Sequence, residues 1–360
     1  MDTTLAMLQE LTEALGVPGQ EDEVRGLMQR YLAPYGELVA DNLGSVAVRK
    51  VGTKAAAKDG PRVLIAGHMD EVGFMVTWIT EDGFLKFQPL GGWWEQVMLA
   101  QRVRIRTRKG DLIGVTGLKP PHILAADERN KIVQKKDMYI DIGVRSKAEA
   151  IEAGIRPGDP IVPVGPFTVL SNPDLLLAKA WDNRIGCAIA VEVCRLLDKT
   201  AHPNILYSGA TVQEEVGTRG AATLTHLAAP DVGIALDVGI AGDTPGIKPE
   251  EAQGRLGNGP VVMIFDGSLI PNTRLRNLVA DVAEQEGLNL QYDWMPGGGT
   301  DAGRMALFGP GVPAVAIGVA ARYIHSAVSI ISRSDFAQTA QLIAALVRRL
   351  DAATVAGLRG

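Results

Sequence analysis

The 360-residue chain is 46% hydrophobic and 21% charged, ordinary globular usage, and its length suggests one large domain or a domain carrying an insertion. A formal net charge of −5 supplies no basic footprint for a phosphate backbone, which argues against nucleic acid as a partner. No apolar run reaches the ~18 residues that suggest a membrane span, and the opening MDTTLAMLQELTEALG has no basic-then-apolar leader. The expected location is therefore cytoplasmic.

Residues 4–34 carry two amphipathic helical patterns split at Gly16-Val17-Pro18-Gly19, followed by a strand pair at Glu37–Ala40 and Ser45–Arg49. The short continuous apolar run Arg62–Ala66 reads as a strand buried on both faces, ending at Gly67-His68-Met69-Asp70. From about Phe74 to Thr168 the texture changes to short alternating strands and Gly-rich turns, which predicts a small β-barrel or sandwich. Within it, residues 119–137 form a long polar segment without period, the kind of loop that is usually mobile or functional. After Leu170 a strand–helix rhythm returns. Helices are expected at Asn183–Leu197, Asn272–Glu286 and from Ser334, and strands at Asn204–Val212, Val232–Leu236, Pro260–Phe265 and Pro313–Gly318. Such alternation favours a mainly parallel sheet covered by helices. The expectation is an α/β domain formed by residues 1–73 and 169–360, interrupted by a β-rich insertion at 74–168.

Open α/β sheets bind ligands at the carboxyl ends of their strands, and the chemistry-bearing residues fall there. His68 and Asp70 follow one strand, Glu214 and Glu215 a second, and Asp237 a third. His325 follows a fourth by one short loop, and Asp182 opens the helix after another apolar run. Mixed imidazole and carboxylate donors without thiolate suit zinc, cobalt or manganese in a hydrolytic site. Asp70, two residues past His68 on an extended segment, is placed to accept the second imidazole N–H. Adjacent Glu214 and Glu215 point in different directions, so one can bind metal while the other acts as general base. Singly, each has a plainer reading: helix capping for Asp182-Asn183, a solvated pair for Glu214-Glu215, a core or capped histidine for His68. Their shared place at strand ends favours the cage. His202 and His226 sit in polar connections and read as structural. Cys187 and Cys194 read as reduced core residues, too far apart to bridge along one helix. Trp93-Trp94 reads as packing in the insertion. Gly297-Gly298-Gly299 lacks the sequel of a phosphate loop and reads as a close-approach turn.

The motifs GHMDEVGF (67–74), KAWDNRIGC (179–187), VQEEVGTRGA (212–221), ALDVG (235–239), GGGTDAG (297–303) and RYIHS (322–326) resemble, in this order and over nearly the whole chain, the co-catalytic metallo-aminopeptidases. That family includes the glutamyl aminopeptidases and the tetrahedral, self-compartmentalising enzymes. The resemblance implies a phosphorylase/hydrolase-like catalytic domain with an inserted PDZ/PA-like barrel that dimerises, and a homo-dodecamer built from dimers. It implies two divalent ions per subunit, Zn2+ or Co2+ with Mn2+ as an alternative. One would be held by His68, Asp182 and Asp237, the other by Asp182, Glu215 and His325, with Asp182 as bridge. Glu214 matches the general base and Asp70 the carboxylate that orients His68, and a cis peptide is implied between Asp182 and Asn183. Gly299, Thr300, Asp301 and His122 are candidates for the substrate site, His122 lying in a segment that resembles the loop such proteins extend toward a neighbouring subunit.

The expected reaction is removal of N-terminal residues from short peptides. The same donor set would also serve a deacylase or dipeptidase. A glycosidase would need two carboxyls facing each other across a sugar, roughly 5–10 Å apart, which adjacent Glu214 and Glu215 do not naturally provide. A shell protein whose metals only hold the assembly together would have no use for Glu214.

Overall fold

The protein is described by a computed structural model covering residues 2–54 and 57–359; the outermost residues of the domain bounds drawn from sequence, 1 and 360, lie outside the described residues. Helices α1 (Thr3–Glu13) and α2 (Asp22–Leu32) open the chain, α1 capped by Asp2, whose side chain accepts the Thr4 N–H. Strands β1 (Glu37–Ala40), β2 (Val46–Val51) and β3 (Arg62–His68) follow. The chain then leaves for a closed barrel of β4 (Gly73–Ile79), β5 (Leu85–Leu90), β6 (Arg102–Thr107), β7 (Gly110–Gly117), β8 (Tyr139–Asp141) and β9 (Pro160–Pro163), with helix α3 (Lys147–Glu152) between the last two. Residues 119–137 run over the barrel surface with only 3₁₀ turns at Pro121–Ile123 and Lys135–Asp137.

On return come β10 (Thr168–Val169), β11 (Leu175–Ala178), helix α4 (Trp181–Leu196), β12 (Ile205–Thr211), α5 (Arg219–Ala228) and β13 (Val232–Ile240). The chain continues through β14 (Val261–Asp266), α6 (Thr273–Gln285), β15 (Gln291–Met295), α7 (Asp301–Ala306), β16 (Ala314–Ala321), β17 (Ser329–Ser332), α8 (Arg333–Arg349) and α9 (Ala352–Leu358). An eight-stranded sheet has the order β1-β2-β12-β3-β13-β16-β14-β15, and β10-β11-β17 form a small second sheet. The central run β12, β3, β13 and β16 is parallel, so its carboxyl ends share one edge. These strands are buried along nearly their whole length, as expected where helices cover both faces.

The larger core packs α1, α2, α4, α6 and α8 on one face, and α5 with α7 closes the other. The barrel has its own core, in which Trp93 stacks on Phe74 at 4.7 Å. Gly67 is where strand and helix touch most closely: a Cβ there would lie 2.5 Å from the Gly186 carbonyl carbon and 2.7 Å from Cys187 N. Only glycine lets β3 and α4 approach so tightly. Cys187 and Cys194 are both free and buried. Among the described residues no helix is long and apolar enough to cross a membrane.

Candidate active site

The four parallel strands carry different residues to one edge, each by its own local device. β3 and β12 end in register, with Thr211 opposite His68. β13 pairs with β3 only up to Ala235 and then runs on beside β16 to Ile240. Asp237 therefore lies within a strand, paired with Gly318, rather than after its end, because Val238 and Ile240 continue the pattern against the longer β16. Its pairing with β3 ends at Ala235–Ala66, and two residues on Asp237 stands level with His68, the last residue of β3, at the sheet edge. Left-handed residues turn the other donors inward: Gln213 precedes Glu214 at φ 55°, and His325 itself sits at φ 55°. Non-glycine residues in this region cluster at functional sites. The Asp182–Asn183 peptide is cis.

Both imidazoles are held the same way. His68 Nδ1 lies 2.9 Å from the Asp70 main-chain carbonyl and His325 Nδ1 2.8 Å from that of Gly92. A carbonyl can only accept, so each Nδ1 carries the proton and each Nε2 presents a lone pair. Those lone pairs face Asp182 from opposite sides: His68 Nε2 is 3.1 Å from Oδ1 and His325 Nε2 3.2 Å from Oδ2. Donor atoms of His68, Asp182 and Asp237 lie within 4.8 Å of one another, and so do those of Asp182, Glu215 and His325. Asp182 belongs to both groups.

Asp70 does more than follow His68. Its carboxylate is 3.6 Å from His68 Nδ1, beyond hydrogen-bond reach, and is committed elsewhere: Oδ1 accepts the Glu214 N–H and Oδ2 the Glu215 N–H, each at 3.0 Å. The main-chain oxygen of Asp70 orients the imidazole, and its fully buried carboxylate holds the tandem glutamates. Glu21, also buried, accepts the Gln213 N–H at 3.0 Å and extends this brace by one residue. Beneath lies a buried ionic knot. Glu71 meets Lys179 at 2.6 Å and Arg184 at 3.1 Å, while Arg184 also donates to the carbonyls of Met69, Leu11, Ala14 and Gly16. It locks α1, the segment after β3 and the start of α4 into one body.

The electrostatics favour a resident cation. Burial pushes both Glu215 and Asp237 up to about 8, with the neighbouring Asp182 charge adding to it. Burial also raises Asp182, but His325 and His68 outweigh it and hold that carboxyl well below the usual range. His325 rises to about 10, burial opposing and Asp182 prevailing, so its Nε2 against Asp182 takes either a proton or a cation. Glu214 is raised by burial, with His68 opposing and Asp301, Asp237 and Glu215 adding to the rise. So many buried carboxylates require paired positive charge, and Glu215 Oε1 has no hydrogen-bond partner among the described residues. Four carboxylate or imidazole donors around a shared carboxylate fit two divalent ions by donor chemistry.

The site opens into a cleft of about 740 Å³. Gly299 lines it. Thr300 and Asp301 are buried behind the wall, Thr300 Oγ1 on Asp266 at 3.0 Å and Asp301 accepting from Thr211 Oγ1 at 2.5 Å. His122 is exposed on the barrel and is not part of the cleft wall of its own chain. His202 is buried against Asn204 Oδ1 at 2.8 Å, and the His226 ring lies edge-on to Phe308. Sequence reasoning missed Gly92, whose place could have been suspected from the paired glycines before Trp93. It also missed the outer wall made by Ile240, Glu251, Trp294 and Ile324.

The M42 glutamyl aminopeptidase model matches residues 44–342, and a short model described as AMPT matches residues 2–28. The chain is 38% identical to the glutamyl aminopeptidase of Lactococcus lactis over 98% of each chain. A crystal structure of a TET aminopeptidase from a marine-sediment Thaumarchaeota archaeon superposes with a TM-score of 0.96 at 47% identity, covering 99% of both chains. The Pyrococcus horikoshii TET1 peptidase, which can assemble into a tetrahedron or a large octahedral shell, gives a TM-score of 0.85 at 31% identity, covering 96% of this chain and all of that one.

Proposed function

The chain belongs to the M42 glutamyl aminopeptidase family, a metal-dependent peptide-bond hydrolase, and from that premise we propose how its own residues carry out the reaction. His68, Asp182 and Asp237 would hold one divalent ion and Asp182, Glu215 and His325 the other, with Zn2+ or Co2+ as the expected ions and Mn2+ as an alternative. The observation that carries this reading is Asp182, with one carboxylate oxygen turned to the Nε2 of each histidine. When bound, two such ions polarise the scissile carbonyl and lower the pKa of the attacking water.

Glu214, whose Oε2 lies 3.7 Å from His68 Nε2, takes the proton of that water and returns it to the leaving amine. Asp70 positions Glu214 through the main chain. The free α-amine of a short peptide sits among the carboxylates, with Gly299 at the wall and Thr300 and Asp301 supporting it from behind. Residues 1–73 and 169–360 act as the catalytic unit and 74–168 as the dimerising insertion. Homo-dodecamers of such dimers are the proposed assembly, in which His122 reaches toward a neighbouring subunit. The reduced Cys187 and Cys194 suit a cytoplasmic location.

The test is removal of metal with a chelator, reconstitution with Zn2+, Co2+ or Mn2+, and assay of Glu214→Gln on an aminoacyl chromogenic substrate and its N-acetylated form. Activity should vanish with the metal and return on reconstitution, fall by on the order of 10²–10⁴-fold in the variant, and be absent on the blocked substrate. Full activity in a metal-loaded Glu214→Gln protein would falsify the assignment.

A further inference from the structure

Resting on the aminopeptidase reading above, we infer that the cleft selects an uncharged, apolar N-terminal side chain and rejects an acidic one. Ile240, Trp294 and Ile324 form the wall such a side chain lies against, and Glu251 sets the rule for charge.

Among the described residues that line the cleft there is no lysine or arginine. Two arginines near it have partners of their own. Arg322 lies bidentate on Asp243 at 2.7 and 2.8 Å, and exposed Arg304 donates its Nε to Thr218 Oγ1 at 3.0 Å. Asp182, Glu215 and Asp237 are the carboxylates that would pair with two divalent ions, and Glu214 beside them is the proton carrier. Glu251 is the carboxylate left over. It stands exposed at the cleft with one oxygen receiving the Lys248 N–H at 2.8 Å. A glutamyl side chain entering here would be desolvated with no cation to pair with and with Glu251 in view, and both effects oppose binding.

The wall offers the opposite. Trp294 keeps 41% of its surface exposed, because β15 turns its polar residues Gln291 and Asp293 inward and its aromatic residues out. Beside it Ile240 and Ile324 are half-buried, so a leucine-sized side chain removes apolar surface on both partners from water. A lysine side chain can lay its methylene stem along the same wall and bring its ammonium toward Glu251. It falls between the two.

The experiment compares kcat/KM for leucyl-, lysyl- and glutamyl-p-nitroanilide on the metal-loaded enzyme, alongside Glu251→Lys and Arg304→Ala. Expected is an order Leu, Lys, Glu, with Glu on the order of 100-fold below Leu. Glu251→Lys should raise the Glu-to-Leu ratio at least about tenfold and reverse the order of Lys and Glu, while Arg304→Ala leaves the Glu-to-Leu ratio where it was. Glutamyl turnover equal to leucyl, or a glutamyl activity that Arg304→Ala abolishes, overturns the charge rule while leaving the aminopeptidase reading intact. An unmoved ratio in Glu251→Lys overturns the role of Glu251. Failure of all three substrates with both metals bound would overturn the reaction itself.

Discussion

Replacing Asp70 by asparagine tests whether the tandem glutamates are positioned through their own main chain. The Asp70 carboxylate accepts two N–H groups at 3.0 Å from inside the protein. An amide keeps one acceptor oxygen and turns an NH2 group toward the other N–H. The substitution removes one hydrogen bond to a charged group, about 1.5–3 kcal/mol, and leaves buried donors facing each other, about 1–3 kcal/mol more. At the low end that is roughly 2.5 kcal/mol, and at about 2–4 °C per kcal/mol for a large domain the melting temperature should fall by about 5 °C or more. The catalytic effect follows from displacement of Glu214: a misplacement near 1 Å costs on the order of 10²-fold in rate. The assay is kcat and KM on leucyl-p-nitroanilide, with bound metal counted in the same preparations. A variant with kcat within about twofold of wild type and both metals bound would refute the reasoning.

Asp182→Asn should reduce bound divalent metal from two per subunit toward none, whereas Asp237→Asn should retain about one, counted by inductively coupled plasma mass spectrometry after dialysis; two metals in Asp182→Asn would remove it as the bridge. Glu21 is pushed up to about 7, mainly by burial and then by the Asp70 charge. Its folded-state pKa thus lies above its unfolded value, so the stability it contributes is full below about 4.5 and is lost as pH rises through about 7. Melting of Glu21→Gln against wild type should shift in favour of the variant between pH 5 and pH 8, and a pH-independent difference would contradict this. Gly67→Ala should cost about 3 kcal/mol in chemical denaturation, because the atoms its Cβ would meet belong to the Gly186–Cys187 backbone and cannot rotate away; a cost under 1 kcal/mol would show that β3 and α4 can separate cheaply.

The central strands were legible because burial on both faces writes an uninterrupted apolar run, as in Arg62–Ala66. A metal cage at one sheet edge must also be announced by polar residues breaking those runs. The elements that escaped reading lacked such marks. β15 buries Gln291 and Asp293, whose side chains bond the main chain around Gly259 and Ile240, and exposes Tyr292 and Trp294, so its alternation is inverted. α5 buries Gly220, Ala221, Leu224, Thr225 and Ala228, a stripe in which Leu224 is the one large apolar side chain. Asp237 looked terminal because strand length depends on the partner β16, a long-range property. The Glu71–Lys179–Arg184 knot joins residues more than a hundred positions apart, and no local pattern couples them.

The Gly91–Gly92 turn belongs to the barrel, yet a Cβ at Gly91 would strike Glu215 Oε2 at 2.8 Å, and the Gly92 carbonyl holds the His325 ring. The insertion is consequently no detachable module. Sliding it by even an ångström would rotate an imidazole and crowd a carboxylate. Whatever grips the barrel from outside therefore has its hand on the tuning of the catalytic edge.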